Sequence, residues 1–438
     1  MINRLLAGAA CAALMGLSVP VSAATSPELP GAAVAISPSA AQAVDSFYAS
    51  RGGAPLWLRG GADSSAAREL IGVLDRSELD GLDNGPELAA RAESLMAQAQ
   101  TGDPAALRAA DRLLSAAWVS YVQAIQRPPA GMIFADPWVR PRAETPMEIL
   151  QRTAAAQSLS AYVRSISEVN PLYAQLRDAA WAQMQSSGGS VDPRVLASLD
   201  RVRERPTGDK YVMVDAAAAR LYMIQDGRIV DTMKVVVGKT GANTQTPMLA
   251  STIYYATLNP YWHVGGDLVR SLIAKNVLEK GLGYLKQQGY QVMPADPNDD
   301  TLLDPASVDW QAVADGTEQV RVRELPGPAN SMGHVKFGFL NAQDIYLHDT
   351  PVKELFAQDD RDLSHGCVRL QDAEKLARWM LGRDPQTDSD APEQNVALPT
   401  PVPIYVTYLT AQAHDGQLSF VDDIYGRDAE AMRMAALK

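Results

Sequence analysis

One cysteine and two histidines, Cys367, His348 and His365, lie close together in this chain and could support nucleophilic chemistry. They occur in residues 345–350 and 364–370. A free thiol with an ordinary pKa of ~8.5 is only a few per cent ionised at neutral pH, so a nucleophilic cysteine needs a base or a positive environment. Cys367 is therefore a candidate nucleophile, and His348, at the end of a short apolar strand, is a candidate base.

The residue before the cysteine is a glycine, which allows a sharp backbone turn. Such a turn brings backbone N–H groups close to a substrate carbonyl, where they can stabilise a negatively charged oxygen. We therefore predict the N–H groups of Gly366 and Cys367 as oxyanion donors. A helix is predicted over residues 372–381, so the nucleophile would lie just ahead of it.

Each of these residues also has a structural interpretation. A single histidine is more often a hydrogen-bonded structural residue than a base, and a free cysteine is usually a small buried apolar residue. A zinc site built from the histidines and Cys367 is a third interpretation, although only the His365–Cys367 turn has short ligand spacing. The acidic loop at 294–305 does not match a calcium-binding EF-hand loop. We predict no metal and no cofactor.

The first half of the chain is predicted to be helical, over residues 41 to about 185. Asp103 and Asn170 each precede a proline, a pattern typical of a helix start with an N-cap residue. Apolar residues then recur every three or four positions, as on one face of a helix. Residues 186–190 are rich in serine and glycine and form the best linker candidate, and a short helix over 193–204 follows.

After Pro206 the pattern changes to that of strands, so the second half is predicted to be mainly β. Asp226-Gly227 and Asp415-Gly416 are typical of tight hairpin turns, because both positions favour positive φ. A mixed helical and loop stretch at about 261–327, with a helix over 267–279, interrupts the strands. The predicted strands are 210–214, 220–224, 228–237, 252–258, 344–347, 403–409 and 419–425.

Composition and the N-terminal residues predict an exported protein. The net charge of −12 argues against a nucleic-acid-binding protein, which needs clustered lysine and arginine residues. Residues 1–23 contain Arg4, an apolar run and a small-residue cleavage pattern, as in a signal peptide. Cleavage would remove Cys11 and leave Cys367 as a lone thiol, with no later segment long enough to span a bilayer. The predicted location is the periplasm.

The motif resembles that of the L,D-transpeptidases of bacterial cell walls. In that family a histidine is followed after about fifteen residues by Ser/Thr-His-Gly-Cys, an apolar residue, and Asn or Arg. Here residues 349–363 separate His348 from Ser364, and Val368-Arg369 follows Cys367. The similarity continues at 238, 246–247, 259–262, 283–285, 307–310, 326–328, 330–331 and 422–425.

The resemblance implies a role for each residue of the motif. Cys367 would be the nucleophile and His348 the general base, while Ser364, His365 and Gly366 would shape the turn and hydrogen bond around it. Arg369 would hold a substrate carboxylate, with a structural salt bridge as the alternative. Tyr346 and Trp262 would line the cleft, with core packing as the alternative for Tyr346.

The resemblance also implies an α+β chain in which helices precede a mainly β catalytic domain with an inserted capping subdomain. The large relatives usually carry a small peptidoglycan-binding module before the catalytic domain, but the segment between the helical region and Lys210 is too short for one. The predicted parts are a signal peptide (1–23), a flexible lead (24–40), a helical scaffold domain (41–206), the catalytic domain (207–425, cap at about 261–327) and a C-terminal tail (426–438).

The implied reaction is acyl transfer through a thioester between stem peptides of peptidoglycan. The donor needs an L–D peptide bond and the acceptor is the side-chain amine of diaminopimelate, so 3-3 and 1-3 cross-links both remain open. Attack by water would instead make an L,D-carboxypeptidase or endopeptidase, and a non-catalytic envelope scaffold is a further alternative. The order, with the histidine before the cysteine, argues against the other common Cys–His wall hydrolases. Carbapenem-type inhibitors are expected to acylate Cys367.

Overall fold

The computed structural model of the protein describes residues 36–241, 243–386 and 389–429. The predicted signal peptide lies outside the described residues, as do most of the predicted flexible lead and most of the C-terminal tail. Within the described ranges, no helix is both long enough and apolar enough to cross a membrane.

The N-terminal half is helical, as predicted. Asp103 and Asn170 are N-caps, and their side chains accept hydrogen bonds from the N–H groups of Ala105 (2.8 Å) and Tyr173 (3.0 Å). The helices are α1 (Pro38–Ser50), α2 (Ser65–Asp75), α3 (Gly85–Gln100), α4 (Pro104–Ile125), α5 (Pro146–Ala155), α6 (Leu159–Ser167), α7 (Pro171–Ser187) and α8 (Pro193–Val202).

A buried carboxylate anchors a loop onto α4. Asp111 is 1% exposed and accepts hydrogen bonds from three successive backbone N–H groups, each at 2.8 Å. These N–H groups belong to residues 56–58, which form no helix or strand of their own. Buried backbone N–H groups outside secondary structure need such partners, so Asp111 takes the place of a strand neighbour.

The second half is built on strands. They are β1 (Ile133–Phe134), β2 (Lys210–Asp215), β3 (Arg220–Gln225), β4 (Arg228–Gly238), β5 (Leu249–Leu258), β6 (Trp262–Val264), β7 (Tyr290–Pro294), β8 (Val320–Glu324), β9 (Val335–Phe337), β10 (Leu347–His348), β11 (Asp362–Ser364), β12 (Val368–Leu370), β13 (Gln394–Thr407), β14 (Ala411–His414) and β15 (Gln417–Phe420).

The main sheet has the order β1-β5-β13-β2-β3-β4-β12-β10-β9, and β9 also pairs with β5, which closes it on itself. β11 pairs with β4, while β14 and β15 form a separate hairpin. Both predicted hairpin turns are confirmed. Asp226 and Gly227 have φ of 52° and 72°, and Asp415 and Gly416 have 50° and 76°.

The two faces of the main sheet belong to two hydrophobic cores. One face packs against the helices of the first half through Tyr211, Met213 and Tyr405. The other face packs against α13 (Ala373–Leu381), the helix predicted after Cys367. Helices followed by a mixed sheet confirm the predicted α+β class.

Residues between β5 and β9 form a small subdomain, called the cap here, with a core of its own. Its sheet has the order β6-β8-β7. Its helices are α9 (Gly266–Leu268), a π-helical turn (Val269–Ala274), α10 (Lys275–Lys280), α11 (Gly283–Gln287) and α12 (Trp310–Asp315). Single 3₁₀ turns are Pro137–Val139, Pro305–Ser307 and Lys353–Ala357.

Three strand predictions need correction. β13 begins at Gln394 rather than 403, because a register shift between Ala397 and Val402 lets β5 pair with both sides of a proline-rich stretch. β15 covers Gln417–Phe420, and residues 421–425 form no strand; the Tyr425 hydroxyl donates instead to the carbonyl at the end of β4. β10 covers only Leu347–His348.

Candidate active site

The candidate site lies on one face of the adjacent parallel strands β10 and β12. Leu347 pairs with Val368 and His348 pairs with Arg369. Leu347 and Val368 point into the core below the sheet. Since side chains alternate along a strand, His348 and Arg369 point to the opposite face, together with their neighbours two positions back, Tyr346 and Cys367.

The Cys367 thiol is partly exposed and donates a hydrogen bond to the backbone carbonyl of Asp344, with 3.5 Å between sulfur and oxygen. Burial raises its pKa, while hydrogen bonds from Tyr346 and the charge of Arg369 act in the opposite direction. Within the described ranges, the sulfur forms no hydrogen bond with His348. The raised pKa keeps the thiol protonated at neutral pH.

His348 is 2% exposed, and its Nδ1–H donates to the backbone carbonyl of Asp349 at 2.6 Å. This bond leaves Nε2 as the nitrogen with a free lone pair. Burial, and then the charge of Arg369, lowers the pKa of His348 to about 3. The imidazole is therefore neutral at neutral pH, as a proton acceptor must be.

Ser364 shapes the turn before the cysteine, as predicted from the resemblance. Its hydroxyl accepts from the N–H of Gly366 (3.1 Å) and donates to the carbonyl of Cys367 (2.6 Å). Gly366 has φ of +116°, and a Cβ there would lie 2.8 Å from Ile345 Cδ1, so only glycine fits. The prediction that the Gly366 N–H is an oxyanion donor is wrong, because Ser364 already accepts its hydrogen bond. The Cys367 N–H has no acceptor among the described residues.

His365 lies away from this network. Its side chain is exposed and hydrogen bonds to no residue that the structure describes. Burial of part of the ring, followed by the charges of Lys239 and Arg369, lowers its pKa. The expectation that His365 hydrogen bonds around the nucleophile therefore does not hold in this structure, since the chain reverses at Gly366 and turns the imidazole outward.

Arg369 is a partly buried cation with no acidic partner among the described residues. Its Nε is buried and has no hydrogen-bond acceptor, and its guanidinium forms no ion pair within the described part of the chain. The structural salt bridge that the sequence left open is therefore absent from this part of the chain. Burial lowers the pKa of Arg369, and the nearby Cys367 and Tyr346 oppose the shift. An unpaired cation beside a thiol is available for an anion.

Tyr346 connects the candidate nucleophile to the cap. Its ring lies 5.6 Å from that of His348 in an edge-to-face arrangement. Its hydroxyl hydrogen bonds with Cys367 and with Trp262 of β6, although burial is the main reason for its raised pKa. The structure thus brings Cys367, His348, Tyr346 and Trp262 to one place.

Two residues near the site carried no role in the sequence prediction. Lys336 on β9 pairs with His348, and its Nζ lies 5.7 Å from the Tyr346 ring centre. Thr246 donates to the Gly366 carbonyl at 2.8 Å. The sequence could have indicated Thr246, because this residue belongs to a stretch that resembles the family. No sequence motif indicated Lys336, which comes near the site because β9 pairs with β10. No group of three or more histidine, cysteine or acidic side chains within the described ranges is arranged to hold a metal ion.

Comparison with known protein families agrees with the resemblance. Residues 209–404, which include both Cys367 and His348, match the model of the L,D-transpeptidase catalytic domain. The chain carries an L,D-transpeptidase catalytic domain. Residues 42–179 match the model described as a scaffold domain, so the L,D-transpeptidase domain follows a scaffold domain in the chain. The family predicted from the motif is confirmed.

Individual proteins to which this chain is similar include one curated relative and several solved structures. A Haemophilus influenzae protein, whose name gives L,D-transpeptidase as a provisional assignment, is 26% identical over 397 residues, covering 88% of this chain and 78% of the relative. Among solved structures, an L,D-transpeptidase from Mycobacterium smegmatis is 14% identical, with a TM-score of 0.24 over 45% of this chain and 58% of that one. The Enterococcus faecium L,D-transpeptidase C442S mutant is 12% identical, with a TM-score of 0.22 over 45% and 50%.

Proposed function

We propose that this protein is a peptidoglycan L,D-transpeptidase of the cell envelope that works through a thioester on Cys367. The observation that carries the proposal is the shared face of β10 and β12. There a thiol, a neutral imidazole and a guanidinium that has no ion-pair partner in the described ranges lie on or directly beside neighbouring strands. The export signal predicted at residues 1–23 supports a periplasmic location.

In the first half-reaction, the Cys367 side chain turns from the Asp344 carbonyl towards His348. The thiol proton passes to Nε2 of His348 as sulfur attacks the carbonyl of an L-residue in the donor stem peptide. The C–N bond to the following D-residue then breaks, and the imidazolium returns its proton to the leaving amine. The products are a thioester with Cys367 and a leaving group with a free amine on its D-residue, which is a free D-amino acid when the bond after diaminopimelate of a tetrapeptide is cleaved.

In the second half-reaction, the side-chain amine at the D-centre of diaminopimelate attacks the thioester carbonyl. His348 takes a proton from this amine, the C–S bond breaks, and the departing thiolate recovers that proton. The product is a new amide cross-link. Both a 3-3 and a 1-3 link satisfy this chemistry, because each donor has an L–D bond.

The two cations beside the site suit an anionic substrate. Arg369 lacks a partner among the described residues, so it can stabilise the Cys367 thiolate in the free enzyme and bind a stem-peptide carboxylate afterwards. Lys336 lies on the other side of His348, and its Nζ is 3.8 Å from Glu393, with its side chain mostly buried. The Cys367 N–H, which has no acceptor in the described ranges, is the backbone donor available to the oxyanion.

The decisive experiment incubates the purified protein with a disaccharide tetrapeptide and analyses the products by mass spectrometry. Cross-linked dimers support transpeptidation. Tripeptides with free D-amino acid and no dimer would show that water resolves the thioester and would make the protein a carboxypeptidase. Cys367→Ala is the matched control. Loss of the wall phenotype in cells that carry this variant supports catalysis, whereas a full effect would favour the non-catalytic scaffold.

A further inference from the structure

The carbonyl of Gly366 is held by a buried threonine from another part of the sheet. Thr246 is fully buried, and its hydroxyl donates to the Gly366 carbonyl at 2.8 Å. The same hydroxyl accepts from the N–H of Gly238, the last residue of β4, also at 2.8 Å. A single side chain thus joins the end of β4 to the turn that carries Cys367.

This contact determines where the Cys367 N–H points. The carbonyl of Gly366 and the N–H of Cys367 belong to one trans peptide unit, in which they point in opposite directions. Fixing the carbonyl on Thr246 therefore fixes the N–H on the other side. Glycine at 366 gives the peptide unit unusual freedom to rotate, since its φ of +116° is compatible with few other residues.

The C-terminal segment, residues 423–428, holds Thr246 in its turn. The Thr246 N–H donates to the Tyr425 hydroxyl (3.3 Å), and the Thr246 carbonyl accepts from Arg427 (2.9 Å). The Tyr425 hydroxyl also donates to the Gly238 carbonyl at 2.5 Å. All the backbone polar groups of Thr246 are thus bound by side chains of this segment.

The segment itself is tied to the sheet and to α8. The Tyr425 ring stacks on Tyr408, and the Arg427 guanidinium lies over both rings at 4.8–4.9 Å. Asp428 forms a buried ion pair with Arg201 of α8 at 2.6 Å, and both side chains are 6% exposed. The buried ion pair and the ring contacts attach the segment to α8 and to the residues that follow β13.

We propose that Thr246 is a positioning residue for acyl transfer, which keeps the Cys367 N–H aimed at the oxyanion, and that residues 423–428 clamp it in place. This inference rests on the proposed function and adds a residue outside its motif. Thr246 touches neither the thiol nor the imidazole among its hydrogen bonds, so its effect is specific to reactions that form an oxyanion.

Two reactions of the same sulfur separate this role from a structural one. Ring opening of a carbapenem by Cys367 passes through a tetrahedral oxyanion, whereas alkylation by iodoacetamide does not. For Thr246→Val we expect acylation about 100-fold slower, the size of losing one oxyanion donor, and alkylation within about threefold of wild type. Thr246→Ser, which keeps the hydroxyl, should restore acylation to within about fivefold.

Thr244→Val is the matched control, because the Thr244 hydroxyl lies in the same loop but donates only to the carbonyls of Lys239 and Gly241. It should react as wild type in both assays. If Thr246→Val fails to fold by circular dichroism, Tyr425→Phe decides instead, with acylation about tenfold slower and alkylation unchanged.

Several results would overturn the inference. For Thr246→Val, acylation at the wild-type rate would do so, as would equal slowing of acylation and alkylation. A failure of Thr246→Ser to recover acylation, or a Thr244→Val defect as large as that of Thr246→Val, would also overturn it. Where Tyr425→Phe decides, acylation of that variant at the wild-type rate would do so. A wild-type protein whose Cys367 is alkylated but never acylated would refute the proposed function itself, which is a distinguishable outcome.

Discussion

Replacing Arg369 with glutamine should raise the pKa of the Cys367 thiol. The two residues are two positions apart on one strand face, so their side chains start about 6.6 Å apart. At an effective dielectric constant of about 20, unit charges at that distance interact by about 2.5 kcal/mol, or about two pKa units. Partial exposure of Arg369 reduces the expected shift to about one unit.

The sign follows from the charge, because a cation favours the thiolate and its removal favours the thiol. At pH 7 the variant has about tenfold less thiolate, but a more basic thiolate is about threefold more nucleophilic. The alkylation rate at pH 7 should therefore fall only about threefold. The midpoint of the pH–rate profile is the more direct measurement and should rise by about one unit.

The assay follows iodoacetamide alkylation of Cys367 between pH 5 and 11 in wild type and Arg369→Gln. Arg378→Gln serves as the matched control, since Arg378 lies on α13, is 54% exposed and pairs with Asp384. Its midpoint should equal that of wild type. An Arg369→Gln midpoint that stays within about 0.3 unit of wild type, or moves to lower pH, would refute the electrostatic role of Arg369.

Substitutions at three further residues test other contacts. Ser364→Ala should slow carbapenem acylation about tenfold and Ser364→Thr should recover it, since the hydroxyl bridges Gly366 and Cys367; equal rates for Ala and wild type would contradict this. The Glu204 carboxyl group is buried, neither of its oxygens has a hydrogen-bond partner among the described residues, and burial raises its pKa to about 8. The folded state therefore keeps a proton that the unfolded state releases. As the pH rises from 5 to 8, the free energy of unfolding of the wild type, measured by urea titration, should fall by at most about 4 kcal/mol. Glu204→Gln should remove that slope, and an unchanged slope would contradict the assignment. Asp111→Ala should lower the free energy of unfolding by about 3–5 kcal/mol, because three backbone N–H groups lose their acceptor; a loss below about 1 kcal/mol would count against it.

Features set by neighbouring residues were predictable from the sequence. The helix starts at Asp103 and Asn170 depend on a side chain that caps its own helix, and the Asp226-Gly227 turn depends on two adjacent φ angles. The motif from His348 to Arg369 identified the family because its spacing is local and specific. Each of these signals lies within a short stretch of chain.

Features that depend on how a turn closes, or on contacts between distant parts of the chain, were not predictable in this way. The Gly366 N–H was assigned to the oxyanion because its partner Ser364 depends on how the turn closes. The early start of β13 depends on β5 tolerating a register shift around prolines. That Arg369 has no acidic partner in the described ranges, and that Thr246 reaches the Gly366 carbonyl, could be learned only from the folded sheet.

The most direct test of the thioester mechanism is to locate the covalent adduct. The purified protein is treated with a carbapenem, its intact mass is measured, and a tryptic digest is searched for the modified peptide. Trypsin cleaves after Arg361 and Arg369, so the peptide of interest is residues 362–369. The account predicts one added carbapenem, on Cys367 of that peptide, and none in Cys367→Ala. An unmodified protein, or an adduct on any other residue, would contradict it.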